Sequence, residues 1–90
     1  MKNAFTQLQT LSNNKQGYYS MVQNLFSPPK FVKLTLVGLD SNAFFLIGEF
    51  RYRAKKQGWT DAEIDKVIEE CESRDYQHLL ATLQTHCIEP

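Results

Sequence analysis

From Phe31 to Val37, Val32, Leu34 and Leu36 alternate with Lys33 and Thr35. This period of two belongs to a half-buried strand. The rest of the chain beyond Leu39 carries mainly the helical period. A lone strand is unstable, because its backbone donors and acceptors need partners. The pattern therefore predicts a small α+β domain, with one or two strands packed on C-terminal helices and a partner for residues 31–37. Three segments qualify: Tyr18–Val22, the C-terminal His86–Glu89, or the same strand of a second copy. The last would make a homodimer by strand addition.

Three helices are expected after the strand. Asp40-Ser41-Asn42 offers three N-caps ahead of a helix over Ala43 to Gln57. Ala43, Ile47, Phe50 and Ala54 line one face, and Phe45 and Tyr52 another, so the first two turns read as buried nearly all round. Gly48 inside this helix costs about 1 kcal/mol relative to Ala and points to a neighbouring backbone in close approach. Gly58 stands where a C′ glycine ends a helix. Thr60 and Glu63 then form a capping box, with Trp59 and Ile64 spaced as a hydrophobic staple. Ile64, Val67, Ile68 and Cys71 make the stripe of a second helix, and Ser73-Arg74-Asp75 a connection. Tyr76, Leu79, Leu80, Leu83 and Cys87 make the stripe of the last helix. The expected core is Val32, Leu34, Leu36, Phe44, Ile47, Phe50, Ile64, Val67, Ile68, Leu79, Leu80 and Leu83.

The first third is polar. Ala4, Phe5, Leu8 and Leu11 have helical spacing over about residues 3–11, and 12–17 read as a turn. Tyr18 to Phe26 suits either a helix face or a strand, and Pro28-Pro29 ends it. The 90 residues are thus read as a single domain, with 1–30 a partly helical N-terminal extension and 31–90 the strand and helical core. A chain of this size buries roughly 64% of its unfolded surface, enough for one modest core. The 22% charged and 12% aromatic content is that of a folded domain. No apolar run reaches the roughly 18 residues of a membrane span, so no membrane partner is expected. The start, Met1 to Gln7, does not read as a secretory signal, and the two cysteines read as reduced cytoplasmic thiols.

Ten basic and ten acidic residues give zero net charge, but they are segregated. Residues 1–39 carry +4, residues 40–58 carry +2, and residues 59–90 carry −6. Arg51, Arg53, Lys55 and Lys56 surround Tyr52, a grouping that could grip phosphates and stack a base. Cations near a helix C-terminus also complement its dipole. Glu69, Glu70 and Glu72 oppose the dipole of their own helix, and Lys66 offsets part of this through Glu63 and Glu70. This acidic edge is expected to meet a positive surface, either Arg51–Lys56 within the fold or a partner protein.

The run Lys33-Leu34-Thr35-Leu36-Val37-Gly38-Leu39-Asp40-Ser41-Asn42-Ala43-Phe44, with Glu63-Ile64-Asp65 and Asp75-Tyr76-Gln77-His78-Leu79-Leu80, carries a resemblance. It resembles a group of small bacterial and phage proteins of unknown function. They share a strand, a Gly-x-Asp-Gly-Asn-Ala-Phe turn into a helix, and an Asp-Tyr-x-x-Leu-Leu helix. Ser41 stands where that motif has Gly, and the N-terminal segment is additional. The resemblance covers about two-thirds of the chain and implies fold and domain limits without an activity. A second resemblance, to ubiquitin-associated domains, rests on three helices over Ala43 to Leu83 and the Gly58-Trp59-Thr60 loop; such a fold likeness carries no function.

Catalytic chemistry finds little footing. Cys71, His78, His86 and Cys87 match no usual metal-ligand spacing, so the cysteines read as buried hydrophobes and the histidines as solvent-facing. His86 and Cys87 project about 100° apart on a helix and do not face each other as base and nucleophile. Asp40, Ser41 and Asn42 read as capping residues, and no phosphate-cradling loop is present. Neither a catalytic residue, a metal nor a cofactor is expected. The leading expectation is a non-enzymatic protein-interaction module using Arg51, Arg53, Lys55, Lys56, Glu69, Glu70 and Glu72. The alternative is a nucleic-acid binder using Arg51–Lys56.

Overall fold

The computed structural model describes residues 22–90. The expected helix over 3–11, the turn over 12–17 and most of the Tyr18–Val22 strand candidate lie outside them. The architecture is α+β: β1 (Val32–Lys33), α1 (Ala43–Lys56), α2 (Asp61–Cys71), α3 (Tyr76–Thr85) and β2 (Cys87–Ile88). The C-terminal segment is the partner of the strand. β1 and β2 pair in parallel, Val32 opposite Cys87 and Lys33 opposite Ile88. Flanking bonds run from Val32 N–H to His86 O and from Leu34 N–H to Ile88 O, both 2.8 Å. The ladder is shorter than the expected 31–37, but Val32, Leu34 and Leu36 still turn inward as the alternation requires. At the other edge of β1, the Gln57 side chain accepts from Lys33 N–H at 2.8 Å and donates to Lys33 O at 2.9 Å. It occupies the groups a second copy would need there, so strand addition at Lys33 loses its template.

Local chemistry sets the helix limits. Asn42 is the N-cap of α1, its Oδ1 accepting from Phe44 and Phe45 N–H, while Asp40 accepts from Asn42 N–H. At the far end Gly58 takes φ +91°. Its N–H donates to Lys55 O, and Trp59 N–H donates to Ala54 O at 3.0 Å, the two bonds of a Schellman closure. The Thr60–Glu63 capping box is formed, Glu63 N–H to Thr60 Oγ1 at 3.2 Å and Thr60 N–H to Glu63 Oε1 at 2.9 Å. The Thr60 N–H, with the Lys30 ammonium beside it, holds the Glu63 carboxyl below its usual range. Asp75 caps α3 through His78 N–H.

The core gathers Val32, Leu34, Leu36, Leu46, Phe50, Ala54, Trp59, Ile64, Val67, Ile68, Cys71, Leu79, Leu80, Leu83 and Cys87. Trp59 meets Phe50 and Phe26 edge-on, with ring centroids 5.6 and 5.5 Å apart. Two expectations fail on α1. The buried stripe is centred on Leu46, Phe50 and Ala54, with Ala43 and Ile47 only partly buried at its margins. Phe44, two positions before Leu46, therefore projects about 200° away and lies outside the core, 85% exposed. Gly48 likewise meets no neighbouring backbone: nothing lies within 4 Å of where its Cβ would be.

Segment 22–30, part of the stretch read as an extension, is bonded to the C-terminal end of the fold. Asn24 Nδ2 donates to Lys30 O at 2.9 Å and Thr85 O at 3.1 Å. Its Oδ1 accepts from Phe26 N–H at 3.0 Å and Lys30 N–H at 3.2 Å. Thr85 Oγ1 donates to Val22 O, and Lys66 Nζ to Leu25 O. Lys66 also stands 5.2 Å above the Phe26 ring, so it serves this segment and not the expected pairs with Glu63 and Glu70.

Candidate interaction surface

The basic cluster occupies the last two turns of α1. The structure brings it to the acids of the first two turns of α2 and one of its own helix. Arg51 meets Asp65 at 3.2 Å, Arg53 meets Glu49 at 3.0 Å, and Lys55 meets Asp61 at 2.6 Å. Lys55 donates to the Asp61 carboxylate and holds it below its usual range. Lys56 is the exception: its ammonium lies 5.3 Å from the Tyr52 ring centre and 3.4 Å from the Tyr52 hydroxyl, with no carboxylate partner among the described residues.

The acids for which this cluster is one of two expected partners lie elsewhere. Glu69, Glu70 and Glu72 are at the opposite end of α2, and none pairs with Arg51–Lys56. Glu70 turns toward α3, its carboxylate accepting from the His78 ring at 2.8 Å. Glu69 and Glu72 are exposed and make no ion pair among the described residues. The reason is geometric: α1 and α2 are antiparallel neighbours through a tight loop, so the end of α1 meets the beginning of α2.

Both histidines are buried, against the expectation of solvent-facing rings. His78 is held by Glu70, and His86 is fully enclosed between Thr82 and Leu25. The signal for this was present: His78 adjoins Leu79 on the inner side of α3, and His86 precedes a strand. Cys71 and Cys87 are buried as expected. Burial, with Glu70 and Glu72 near Cys71, pushes both thiols up to about 12 and so keeps them protonated. An open cleft of about 570 Å³ lies beside Glu70, Arg74 and His78, with Val22–Leu25 as its other wall. Among the described residues no three His, Cys, Asp or Glu side chains gather to hold a metal.

A different feature stands out on α1. Phe44 and Tyr52 are 85% and 55% exposed, and Gly48 lies between them. The spacing i, i+4, i+8 aligns the three along one ridge about 12 Å long. Gly48 makes a notch in that ridge, bounded by Arg51, Tyr52, Lys55 and Lys56. Phe45 is 44% exposed next to it. Sequence reasoning placed Phe44 inside and so did not find this ridge; a helical projection centred on Leu46 and Phe50 would have put it outside.

Among the described residues, no helix is long and apolar enough to cross a membrane. Comparison with family models, curated proteins and solved structures yields no match.

Proposed function

We propose that this chain is a non-catalytic protein-interaction module acting in the cytoplasm, and that the outer ridge of α1 is its docking surface. The exposure of Phe44 is the observation that carries this reading. Leaving a Phe side chain in water forgoes about 1.5–3 kcal/mol of burial. A single exposed apolar residue needs no explanation, but aligned aromatics around a glycine notch form a patch. Aromatic anchors beside a basic residue are the usual composition of an interface centre.

The partner chemistry follows from the same residues. The notch at Gly48 accepts one apolar side chain, and Lys56, whose charge has no carboxylate partner among the described residues, calls for a carboxylate. The occupant is therefore an amphipathic helix with acidic residues along the edge of its apolar face, laid along α1. Nucleic acid fits less well. Asp61, Asp65 and Glu49 sit on three of the four cations and would stand against approaching phosphates. The resemblance to small bacterial and phage proteins is compatible with this role and supplies no competing activity.

The test is an NMR titration of the labelled full chain with three probes: a 16-residue Leu/Glu amphipathic peptide, its Leu/Lys counterpart, and a single-stranded oligonucleotide. The reading expects saturable shifts at Phe44, Gly48, Tyr52 and Lys56 with the Leu/Glu peptide alone. Equal binding of the Leu/Lys peptide would overturn the assigned partner chemistry. Oligonucleotide binding that weakens steeply with salt would replace the reading by nucleic-acid recognition.

A further inference from the structure

Segment 22–30 is fastened to the end of α3 through one enclosed imidazole. His86 is completely buried. Its Nδ1 lies 2.7 Å from Thr82 O, and its Nε2 accepts from Leu25 N–H at 2.9 Å. A carbonyl only accepts and an amide N–H only donates, so the ring must be the neutral Nδ1–H tautomer. A second proton has only Nε2 to bind, the atom that already receives the Leu25 hydrogen. The two N–H groups would then point at each other in a site closed to water.

We infer that His86 is an acid-sensitive latch: protonation of Nε2 ejects the Leu25 amide and releases residues 22–30, while the strand–helix core stays assembled. The core has its own ties. The bond that His86 makes to β1 uses its backbone carbonyl, which ring protonation leaves in place. The core side chains of α1, α2 and α3 pack on one another, and the segment adds only the part-buried Leu25 and Phe26 at their margin. Apart from the His86 bond, the segment has the Asn24 and Thr85 bonds, the Phe26 ring edge-on to His86 at 6.0 Å, and the surface contacts of Lys66 and Lys30.

The charged surroundings do not reverse this. On α2, Glu70 favours the imidazolium, but its carboxylate is engaged by His78 of α3. Lys66, also on α2, lies over the Phe26 ring. Lys30 of the segment is paired with Glu63. Cys71 and the adjacent Cys87 are neutral thiols. Burial outweighs the Thr82 bond and Glu70 and lowers the His86 pKa from its ordinary value. For a base lowered in the folded state, the stabilisation is complete above the unfolded pKa of about 6.5 and is lost as pH falls through the folded value.

Amide exchange measured across pH, corrected for intrinsic rates and read beside the His86 ring nitrogen shifts, tests the latch in the full chain. The expected result is at least a tenfold loss of protection at Leu25, Phe26 and Lys30, with the midpoint of the His86 ring, while Ile68 and Leu83 stay protected. In His86→Gln, which keeps a donor and an acceptor but does not titrate, the loss should be absent. If that variant does not fold, the two wild-type midpoints still decide. Continued protection of 25–30 after the ring is protonated would refute the latch. So would loss of segment and helices together, or a midpoint that follows His78.

Discussion

Replacing Asn24 by Ala removes four hydrogen bonds with one side chain. The amide donates to Lys30 and Thr85 carbonyls and accepts from the Phe26 and Lys30 amides. Each such bond contributes a net of about 0.5–1.5 kcal/mol. Asn24 is only half-buried, so water re-solvates part of what the truncation orphans. The expected loss is therefore about 2–3 kcal/mol, below the full sum of four bonds. For a domain of this size that is a fall of roughly 10–20 °C in Tm. Urea unfolding followed by the single tryptophan, Trp59, is a suitable assay, because Phe26 of the same segment packs against its ring. Asn24→Asp is the control. It keeps both accepted bonds but turns a carboxylate oxygen toward two carbonyls, so it should lose at least as much at neutral pH. A change below about 0.5 kcal/mol for Asn24→Ala would mean that this side chain does not hold the segment.

Other substitutions probe the helices and thiols. Gly58→Ala should cost about 1–2 kcal/mol in denaturant unfolding, because φ +91° strains any residue with a Cβ although the space around it is open. Gly48→Ala should do the opposite, stabilising α1 by roughly 0.5–1 kcal/mol while weakening the Leu/Glu peptide by filling the notch. A gain in stability with unchanged peptide affinity would separate the notch from docking. Cys71 and Cys87 should react with a thiol reagent at pH 8 only as fast as the protein opens, since burial holds both near 12. Immediate labelling of the native protein would contradict their burial.

Much of the fold was legible where local chemistry decides it. The Thr60–Glu63 box, Gly58 and the Val32–Leu34–Leu36 alternation rest on contacts or dihedrals within a few residues, and all are found as read. The partner of β1 was one of three open choices, because pairing 55 residues apart leaves no local signature. The site was less legible. Phe44 was misplaced by reading the first two turns of α1 as buried nearly all round, and of the two surfaces offered to the acidic edge, Arg51–Lys56 meets the other end of α2. Asn24 escaped notice and His86 was read as solvent-facing because each acts on backbone groups, which no side-chain pattern records.

The most direct test of the docking reading is Phe44→Ser, measured for stability and for Leu/Glu peptide affinity in the same preparation. An aromatic side chain that is 85% exposed contributes little to folding. Its removal should leave unfolding free energy within about 0.5 kcal/mol of the unmodified chain, the range of ordinary surface changes. Affinity should fall at least about tenfold, or 1.4 kcal/mol. Unchanged peptide affinity in a protein that has lost more than about 1.5 kcal/mol of stability would contradict the account, because Phe44 would then belong to the fold and not to the interface.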